Sequence, residues 1–119
     1  MTTEEKIKKQ FPTADIFYED DNYVSFIVPW HLLHTTAGWG NGYVGIKNPK
    51  HPWFSAHYDN IDVDVHGGLT YSDYTDDATI WIVGFDTGHW QDDINIWPKY
   101  RVIQEVTDLL GHAKQIIIK

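Results

Sequence analysis

The sequence predicts an α+β fold: a mainly antiparallel sheet with a C-terminal helix packed on one face, and a short N-terminal helix. Three observations support this prediction. The chain has 119 residues, enough for one hydrophobic core but too few for two, so we expect a single domain over residues 1–119. Short aromatic and β-branched runs separated by turn residues are typical of strands. An apolar stripe with helical spacing follows Pro98.

The N-terminal segment is predicted to form a helix from Thr3 to about Gln10. Thr2 and Glu5 have the spacing of a capping box, in which the side chain of each residue bonds the backbone amide of the other. Pro12 closes the segment, because proline cannot continue a helix. The helix is therefore short.

Two β-rich runs follow and are predicted to pair as a hairpin. Asp15 to Tyr18 and Tyr23 to Val28 are rich in aromatic and β-branched residues and flank a polar turn. An irregular loop is expected from His31 to Asn41, and a further strand from Gly42 to Lys47. Short strands bounded by turn-forming residues are what an antiparallel sheet requires.

The run from Ile61 to His66 alternates strictly between apolar and polar residues. In a strand this alternation turns one set of side chains to the core and the other set away from it, so we predict a half-exposed strand that Gly67 and Gly68 end. Two carboxylates in line can share a cation, but a solvated face is the more common use of such a pattern. The outward set consists of Asp62, Asp64 and His66.

The last strand and the C-terminal helix are predicted from their apolar patterns. Thr79 to Phe85 is apolar on both faces, which is typical of a covered strand, so we place it in the middle of the sheet. Pro98 suits the first position of a helix and Gly111 suits its C-terminal stop. Ile116 to Ile118 either adds an edge strand or continues the packing. The stripe of the helix consists of Val102, Ile103, Val106, Leu109 and Leu110.

Composition and charge exclude several classes of function. The chain has no cysteine, which excludes disulfides, thiolate metal sites and cysteine nucleophiles and fits a reducing compartment. The net charge of −8 disfavours nucleic-acid binding, which needs a basic surface. Nine aspartates and no lysine or arginine lie between His51 and Pro98, a composition that attracts cations or basic partners. No apolar run has the length of a signal-peptide core or a membrane span, so we expect a cytoplasmic protein without membrane contact.

Three side chains are predicted to form the centre of a site: His66, Asp86 and His89. Asp86 and His89 follow the apolar strand directly, where a rigid element passes into a loop and side chains can be exposed yet fixed. If the three converge, they form either a general acid–base pair with an orienting carboxylate or a site for a divalent metal such as zinc, iron or manganese. A purely structural use of Asp86 is also open, as a cap that bonds the amides of Thr87 and Gly88.

Glycines and aromatic residues are predicted to complete this site. Consecutive glycines after His66 let a ligand approach bare backbone amides. Aromatic side chains with a polar group are common in binding pockets, although a small protein also needs them in its core. The ligand-binding residues predicted around the central three are Gly67, Gly68, Tyr43, Tyr71 and Trp90.

Paired motifs in the chain resemble a known group of proteins. The segments are Gly42-Tyr43-Val44, His51-Pro52, Asp64 to Thr70 and Gly84 to His89. In this order they resemble small uncharacterised proteins encoded by phages and prophages, in which a VHGGLT segment precedes a GFDxxH segment and a C-terminal helix. The likeness covers about Gly42 to Leu110 and implies no known activity.

The resemblance implies that the two motifs contribute to one site, and it implies a compact cytosolic accessory protein. The residues concerned are His66, Gly67, Gly68, Asp86 and His89. After His89 the chain departs from the group, which tends to have a small residue followed by Gly-Asp, whereas Trp90-Gln91-Asp92-Asp93 stands here. The resemblance therefore leaves the roles of Asp92 and Asp93 open.

Three functions are compatible with these features. The first is a binding module whose aromatic-rimmed His and Asp pocket holds a small ligand or a segment of a host protein. The second is a small hydrolase, metal-dependent or acid–base, that uses His66, Asp86 and His89. The third is an acidic inhibitor that mimics nucleic acid and occupies a basic cleft. We favour the first, because no nucleophile or cofactor motif is present, and the sequence specifies neither a cofactor nor an oligomeric state.

Overall fold

A computed structural model describes residues 1–30, 37–89, 91–116 and 118, and these residues form the predicted α+β fold. The helices and strands are α1 (Thr3–Gln10), β1 (Asp15–Glu19), β2 (Tyr23–Pro29), β3 (Gly40–Ile46), β4 (Tyr71–Tyr74), β5 (Trp81–Phe85) and α2 (Lys99–Gln115). A five-stranded antiparallel sheet in the order β1-β2-β3-β5-β4 carries a helix on each face. A 3-10 turn lies between β3 and β4, at Tyr58–Asn60.

Helix α1 begins as the sequence predicts. The Thr2 hydroxyl accepts a hydrogen bond from the Glu5 amide at 3.1 Å, and the Glu5 carboxylate accepts one from the Thr2 amide at 3.1 Å. The capping box satisfies amides that a first helical turn would otherwise leave unbonded. Ile7 is fully buried and anchors α1 to the sheet. The core on this face contains Ile7, Ala14, Val24, Phe26, Tyr43, Ile80 and Ile82.

The predicted hairpin of β1 and β2 is confirmed, and β5 lies inside the sheet. β5 pairs with β3 on one side and with β4 on the other, and all five of its residues are buried, as its apolar pattern predicts. The middle strand is nevertheless β3, so the predicted position of β5 is wrong by one strand. The outer place beside β5 is taken by β4, a short strand with three half-buried residues and one exposed residue that was not predicted.

Residues 61–66 do not form the predicted strand. They are an irregular segment that pairs with no strand of the described chain, because β4 occupies the position beside β5. Their alternation is still meaningful: Ile61 and Val65 are buried in the core below α2, whereas both aspartates are exposed. The backbone amide of His66 donates to the Glu105 carboxylate of α2 at 3.2 Å and not to a strand. The pattern thus reports which side faces the core and says nothing about strand pairing.

Helix α2 carries the predicted apolar stripe but differs from the prediction at both ends. Pro98 is the capping residue before the helix and not its first residue. Gly111 does not stop the helix, which continues to Gln115 because Ala113 is fully buried and stabilises the last turn. The buried residues of α2 are Val102, Val106, Leu109, Leu110 and Ala113.

Two predicted segments lie partly outside the described residues. The predicted loop from His31 to Asn41 includes residues 31–36, which are outside them, and β3 already begins at Gly40. In the candidate edge strand, Ile116 caps α2 and Ile118 is in no strand, whereas Ile117 is not described. Within the described chain, no helix is both long and apolar enough to cross a membrane.

Candidate functional site

The segment that ends at His66 and the loop after β5 meet through a buried carboxylate. His66 Nε2 lies 2.9 Å and 3.0 Å from the two carboxylate oxygens of Asp92. The backbone amide of His89 donates to the same carboxylate at 3.0 Å. Asp92 is only 6% exposed, so these bonds replace the water that an ionised carboxylate needs. We call the pair the Asp92–His66 dyad.

Asp86 and His89 lie beside the dyad and are less tightly bonded. The ring centres of His66 and His89 are 5.5 Å apart. His89 Nε2 lies 3.3 Å from Asp86 Oδ1, close enough for an ion pair, but the alignment is too poor for a hydrogen bond and this buried nitrogen has no hydrogen-bond partner among the described residues. Asp86 Oδ1 accepts the Gly88 amide hydrogen at 2.9 Å. His89 therefore lies next to both His66 and Asp86, and Asp86 also caps its own turn.

Two glycines follow His66, and one of them lets the segment that ends at His66 approach the loop after β5. Both have left-handed backbone conformations that favour glycine, with φ of +67° and +78°. A Cβ on Gly67 would lie 2.3 Å from His89 Nε2, so the missing side chain leaves the space that the histidine ring occupies. A Cβ on Gly68 would meet nothing within 4 Å. Gly67 is thus required for conformation and for contact, and Gly68 for conformation alone.

A chain of contacts supports His66 from the side of α2. The ring centres of His66 and Trp97 are 4.1 Å apart. The Arg101 guanidinium lies 4.2 Å from the centre of the Trp97 ring and donates through Nη1 to the Ile96 carbonyl at 2.6 Å. Glu105 accepts the His66 amide hydrogen at 3.2 Å. Both the ring and the backbone of His66 are therefore held in place.

An open cavity of about 680 Å³ lies between α2 and the segment that ends at Gly67. Its wall is mainly polar and includes His66, Trp97 and His112. Among the residues that the structure describes, three carboxylates and one guanidinium line the cavity, so this wall carries a net charge of −2 when the histidines are neutral. These charged residues are Asp64, Glu105, Asp108 and Arg101.

The divalent metal considered from the sequence finds no ligand set in the described part of the chain. No group of three or more His, Asp or Glu side chains there is arranged to hold a metal ion. The contacts explain this result, because His66 Nε2 is taken up by Asp92 and Asp86 faces the amide of its own turn. Asp62 and Asp64 are both exposed, in line with a solvated face, and of the two only Asp64 lines the cavity.

Tyr43 and Tyr71 lie on the opposite face of the sheet, in the core below α1. Their rings meet edge to face with centres 5.5 Å apart. The Tyr43 hydroxyl accepts from Asn41 at 3.3 Å and the Tyr71 hydroxyl from Gln10 at 2.9 Å. Burial raises the pKa of both phenols, which keeps them neutral. The structure does not bring these tyrosines to the cavity, and Trp90, the third predicted aromatic, lies outside the described residues.

Several residues of the site are not identified from the sequence. The sequence offers one hint that Asp92 belongs to the site, because Asp92 stands three residues after the predicted site residue His89. Its partner His66, however, is 26 positions away in the chain. Arg101 and Glu105 are one helical turn apart on the polar side of α2, which looks like an ordinary solvated face. Only the packing of α2 against residues 64–67 makes that face part of a cavity.

Comparison with known proteins gives no assignment for this site. The sequence matches no protein-family model, and no curated protein or solved structure is significantly similar to it. The resemblance to the phage and prophage group therefore stays a prediction. Function has to be inferred from the geometry.

Proposed function

We propose that this chain is an accessory protein of the phage or prophage type that binds a small polar ligand in the cavity beside His66. One observation carries the proposal: the central residue of the cavity wall is already fixed. His66 is held through its ring by Asp92 and Trp97 and through its amide by Glu105. A site that need not be ordered on binding keeps more of its interaction free energy as affinity.

The size and chemistry of the cavity suit a small molecule. Its volume of about 680 Å³ falls within the range of roughly 300–1,000 Å³ that is typical of ligand pockets. Arg101 offers hydrogen-bond donors, Asp64 and Asp108 offer acceptors, and Trp97 offers an aromatic surface. Because the wall carries an excess of negative charge, a neutral or cationic ligand is favoured over an anion.

An NMR titration with three probes of different charge tests the proposal. The signals followed are the Trp97 indole and the His66 ring, and the probes are benzamidine, adenosine and benzoate. We expect the cation benzamidine to shift both signals at the lowest concentration, and benzoate to require the highest, because of the negative wall. If none of the three probes shifts either signal at millimolar concentration, the proposal fails.

Matched variants locate the binding. Asp108→Asn removes one carboxylate from the cavity wall and should weaken benzamidine binding about threefold to tenfold. Asp62→Asn removes an exposed carboxylate that does not line the cavity and should leave the affinity unchanged. An equal loss in both variants would mean that the cation is attracted by the net charge of the chain and not by this cavity.

A segment of a host protein is the second candidate ligand, favoured by exposed apolar side chains in residues 94–100, which lead into α2. Ile94, Ile96 and Tyr100 are 44%, 46% and 72% exposed. The Ile96 carbonyl accepts a hydrogen bond from Arg101, which joins this surface to the cavity wall. Exposed apolar residues that lie together mark interaction sites. A partner of this class should be retained by the wild-type chain and lost when Ile94→Ser and Ile96→Ser are combined, while benzamidine still binds.

Mimicry of nucleic acid is less well supported. Several of the aspartates between residues 51 and 98 serve the chain itself. Asp77, Asp86 and Asp93 accept hydrogen bonds from amides two or three positions further on, and Asp92 is buried. Carboxylates committed to separate turns do not form the regular array that a phosphate backbone presents.

A further inference from the structure

The Asp92–His66 dyad determines which ring nitrogen of His66 carries the hydrogen. An ionised carboxylate only accepts hydrogen bonds, and both oxygens of Asp92 lie within 3.0 Å of Nε2. In the neutral ring Nε2 therefore carries the hydrogen and Nδ1 holds the lone pair. Within the described chain, the hydrogen bonds of this ring all involve Nε2. Nδ1 is thus the nitrogen with basic character.

His66 combines this tautomer with access to the cavity. Its side chain is 23% exposed and lines the cavity, whereas the side chain of Asp92 is 5% exposed. A buried carboxylate that orients an imidazole leaves the second ring nitrogen available for proton transfer, which is the arrangement of general acid–base catalysis. The carboxylate also stabilises the imidazolium that forms when the ring accepts a proton.

We infer that the cavity is the active site of a hydrolase for small neutral or cationic carboxylic esters, with His66 as catalytic base and Asp92 as its positioning residue. This inference rests on the proposed function, since a substrate must first bind in the cavity. The wall sets the substrate class, because three carboxylates against one guanidinium repel a phosphate monoester and accept a neutral or cationic ester. Arg101 is the cation on this wall that stabilises a developing oxyanion.

The reaction is a hydrolysis with water as the nucleophile. His66 Nδ1 takes a proton from water while the water oxygen forms a bond to the acyl carbon, and the electron pair of the C=O bond moves to its oxygen. When the tetrahedral species collapses, the bond between the acyl carbon and the alcohol oxygen breaks. Nδ1 then returns its proton to that oxygen. The products are a carboxylic acid and an alcohol.

Three chromogenic substrates test the activity and its class. The neutral substrate is 4-nitrophenyl acetate, the cationic one is 4-nitrophenyl 4-guanidinobenzoate, and the anionic one is 4-nitrophenyl phosphate. We expect the chain to hydrolyse the first two above the rate of an equal concentration of imidazole, and the phosphate at the rate of buffer alone. Hydrolysis of the phosphate faster than the acetate would overturn the substrate class.

Variants assign the activity to the dyad. His66→Gln and Asp92→Asn should each lower kcat for 4-nitrophenyl acetate about 100-fold, the size of a typical acid–base contribution. His57→Gln is the matched control, because His57 is exposed and does not line the cavity, and it should keep the wild-type kcat. Equal rates in wild type and His66→Gln would overturn the inference.

The tautomer of His66 is a direct readout of the bond between Asp92 and Nε2, on which the mechanism depends. Proton–nitrogen correlation NMR of the wild-type chain should show the hydrogen of His66 on Nε2. Asp92→Asn, whose amide can donate to Nε2, should move that hydrogen to Nδ1. A wild-type His66 with its hydrogen on Nδ1 would overturn the inference, and this measurement does not depend on the folding of any variant.

The binding function and the hydrolase activity fail in distinguishable ways. Benzamidine binding at Trp97 without turnover of either ester overturns the hydrolase and leaves the binding function standing. The absence of both binding and turnover overturns both. Turnover that survives His66→Gln while benzamidine binding is normal overturns the assignment of the catalytic base.

Discussion

His51 and His66 have different roles in the same fold, and the contacts of their ring nitrogens show the difference. His51 is 2% exposed and both of its ring nitrogens contact backbone groups: Nε2 lies 2.9 Å from the Ala113 carbonyl oxygen, and Nδ1 accepts the Trp53 amide hydrogen at 3.0 Å. His66 has one nitrogen bonded to a buried carboxylate and lines a cavity. The number of ring nitrogens that backbone groups occupy thus separates a structural histidine from a candidate catalytic one.

The bonds of His51 explain its place in the core. A carbonyl only accepts and an amide only donates, so the neutral ring with its hydrogen on Nε2 satisfies both partners at once. His51 thereby links the segment before Trp53 to the last turn of α2. The Ala113 carbonyl in that turn also accepts from the Tyr23 hydroxyl at 3.3 Å, so three parts of the chain meet there.

The largest effect on stability is expected at His51. His51→Ala leaves a cavity and removes the hydrogen-bond partner of the buried Trp53 amide, so the free energy of unfolding should fall by about 3–4 kcal/mol. Chemical denaturation followed by tryptophan fluorescence measures the change. His112→Ala removes an exposed histidine of α2 and should change the same quantity by less than about 0.5 kcal/mol. Equal losses in the two variants would contradict the structural role of His51.

Alanine variants of Gly67 and Gly68 test how closely the segment that contains His66 packs against His89. Both alanine variants place a Cβ on a left-handed residue, but only Gly67→Ala also drives that atom into His89. We expect Gly67→Ala to lower the free energy of unfolding by about 3 kcal/mol and Gly68→Ala by about 1 kcal/mol. The ring signals of His89 should move in the first variant alone. Similar losses in both would show that the two segments are not in close contact in solution.

Much of the fold can be predicted because its signals are local. The Thr2 and Glu5 capping box and the apolar stripe of α2 each depend on residues within a few turns of one another. Strand pairing is not local in this sense. Residues 61–66 show the alternation of a strand without pairing, and β4 pairs with β5 although its four residues carry no clear alternation.

The candidate site also has one part that local sequence predicts and another part that depends on contacts between distant residues. His66, Asp86 and His89 are predicted to meet because each follows a predicted strand, and that rule needs only the sequence around each residue, even though residues 61–66 prove to be irregular. The bond from Asp92 to His66 depends instead on the path of the loop after β5. Glu105 joins the site because α2 packs against residues 64–67, which no pattern within α2 indicates.

Asp77 and Asp92 can be compared as the two histidines were. Both carboxylates accept several hydrogen bonds, but Asp92 is buried and Asp77 is exposed. Hydrogen bonds from Thr79 and Thr75 and the nearby Lys6 ammonium lower the pKa of Asp77 below its ordinary value of 3.8. Because the pKa of Asp77 is lower in the folded chain than in the unfolded chain, the ionised carboxylate stabilises the fold above about pH 4. This stabilisation is lost as the pH falls toward the pKa of the folded chain. Asp77→Asn should lower the Tm by about 2 °C at pH 7, and the difference from wild type should shrink near pH 2.

The control for Asp77 is its neighbour. Asp76 forms an ion pair with Lys9 in which both side chains are more than half exposed, so Asp76→Asn should change the Tm little at either pH. Differential scanning calorimetry at the two pH values compares the variants. A gap between Asp77→Asn and wild type that grows as the pH falls would have the wrong sign for a lowered pKa.

The smallest change in stability is expected at Ala78. This residue has a left-handed conformation like Gly68, with φ of +60°, but it carries a side chain, so here the replacement by glycine is the stabilising one. That conformation costs alanine about 1–2 kcal/mol, more than the ~0.5–1 kcal/mol of extra chain entropy that glycine loses on folding. Ala78→Gly should therefore raise the free energy of unfolding by about 0.5 kcal/mol. Ala56→Gly, at a residue that is not left-handed, should lower it by about the same amount. If both variants lose stability, the turn beside Asp77 is not left-handed in solution.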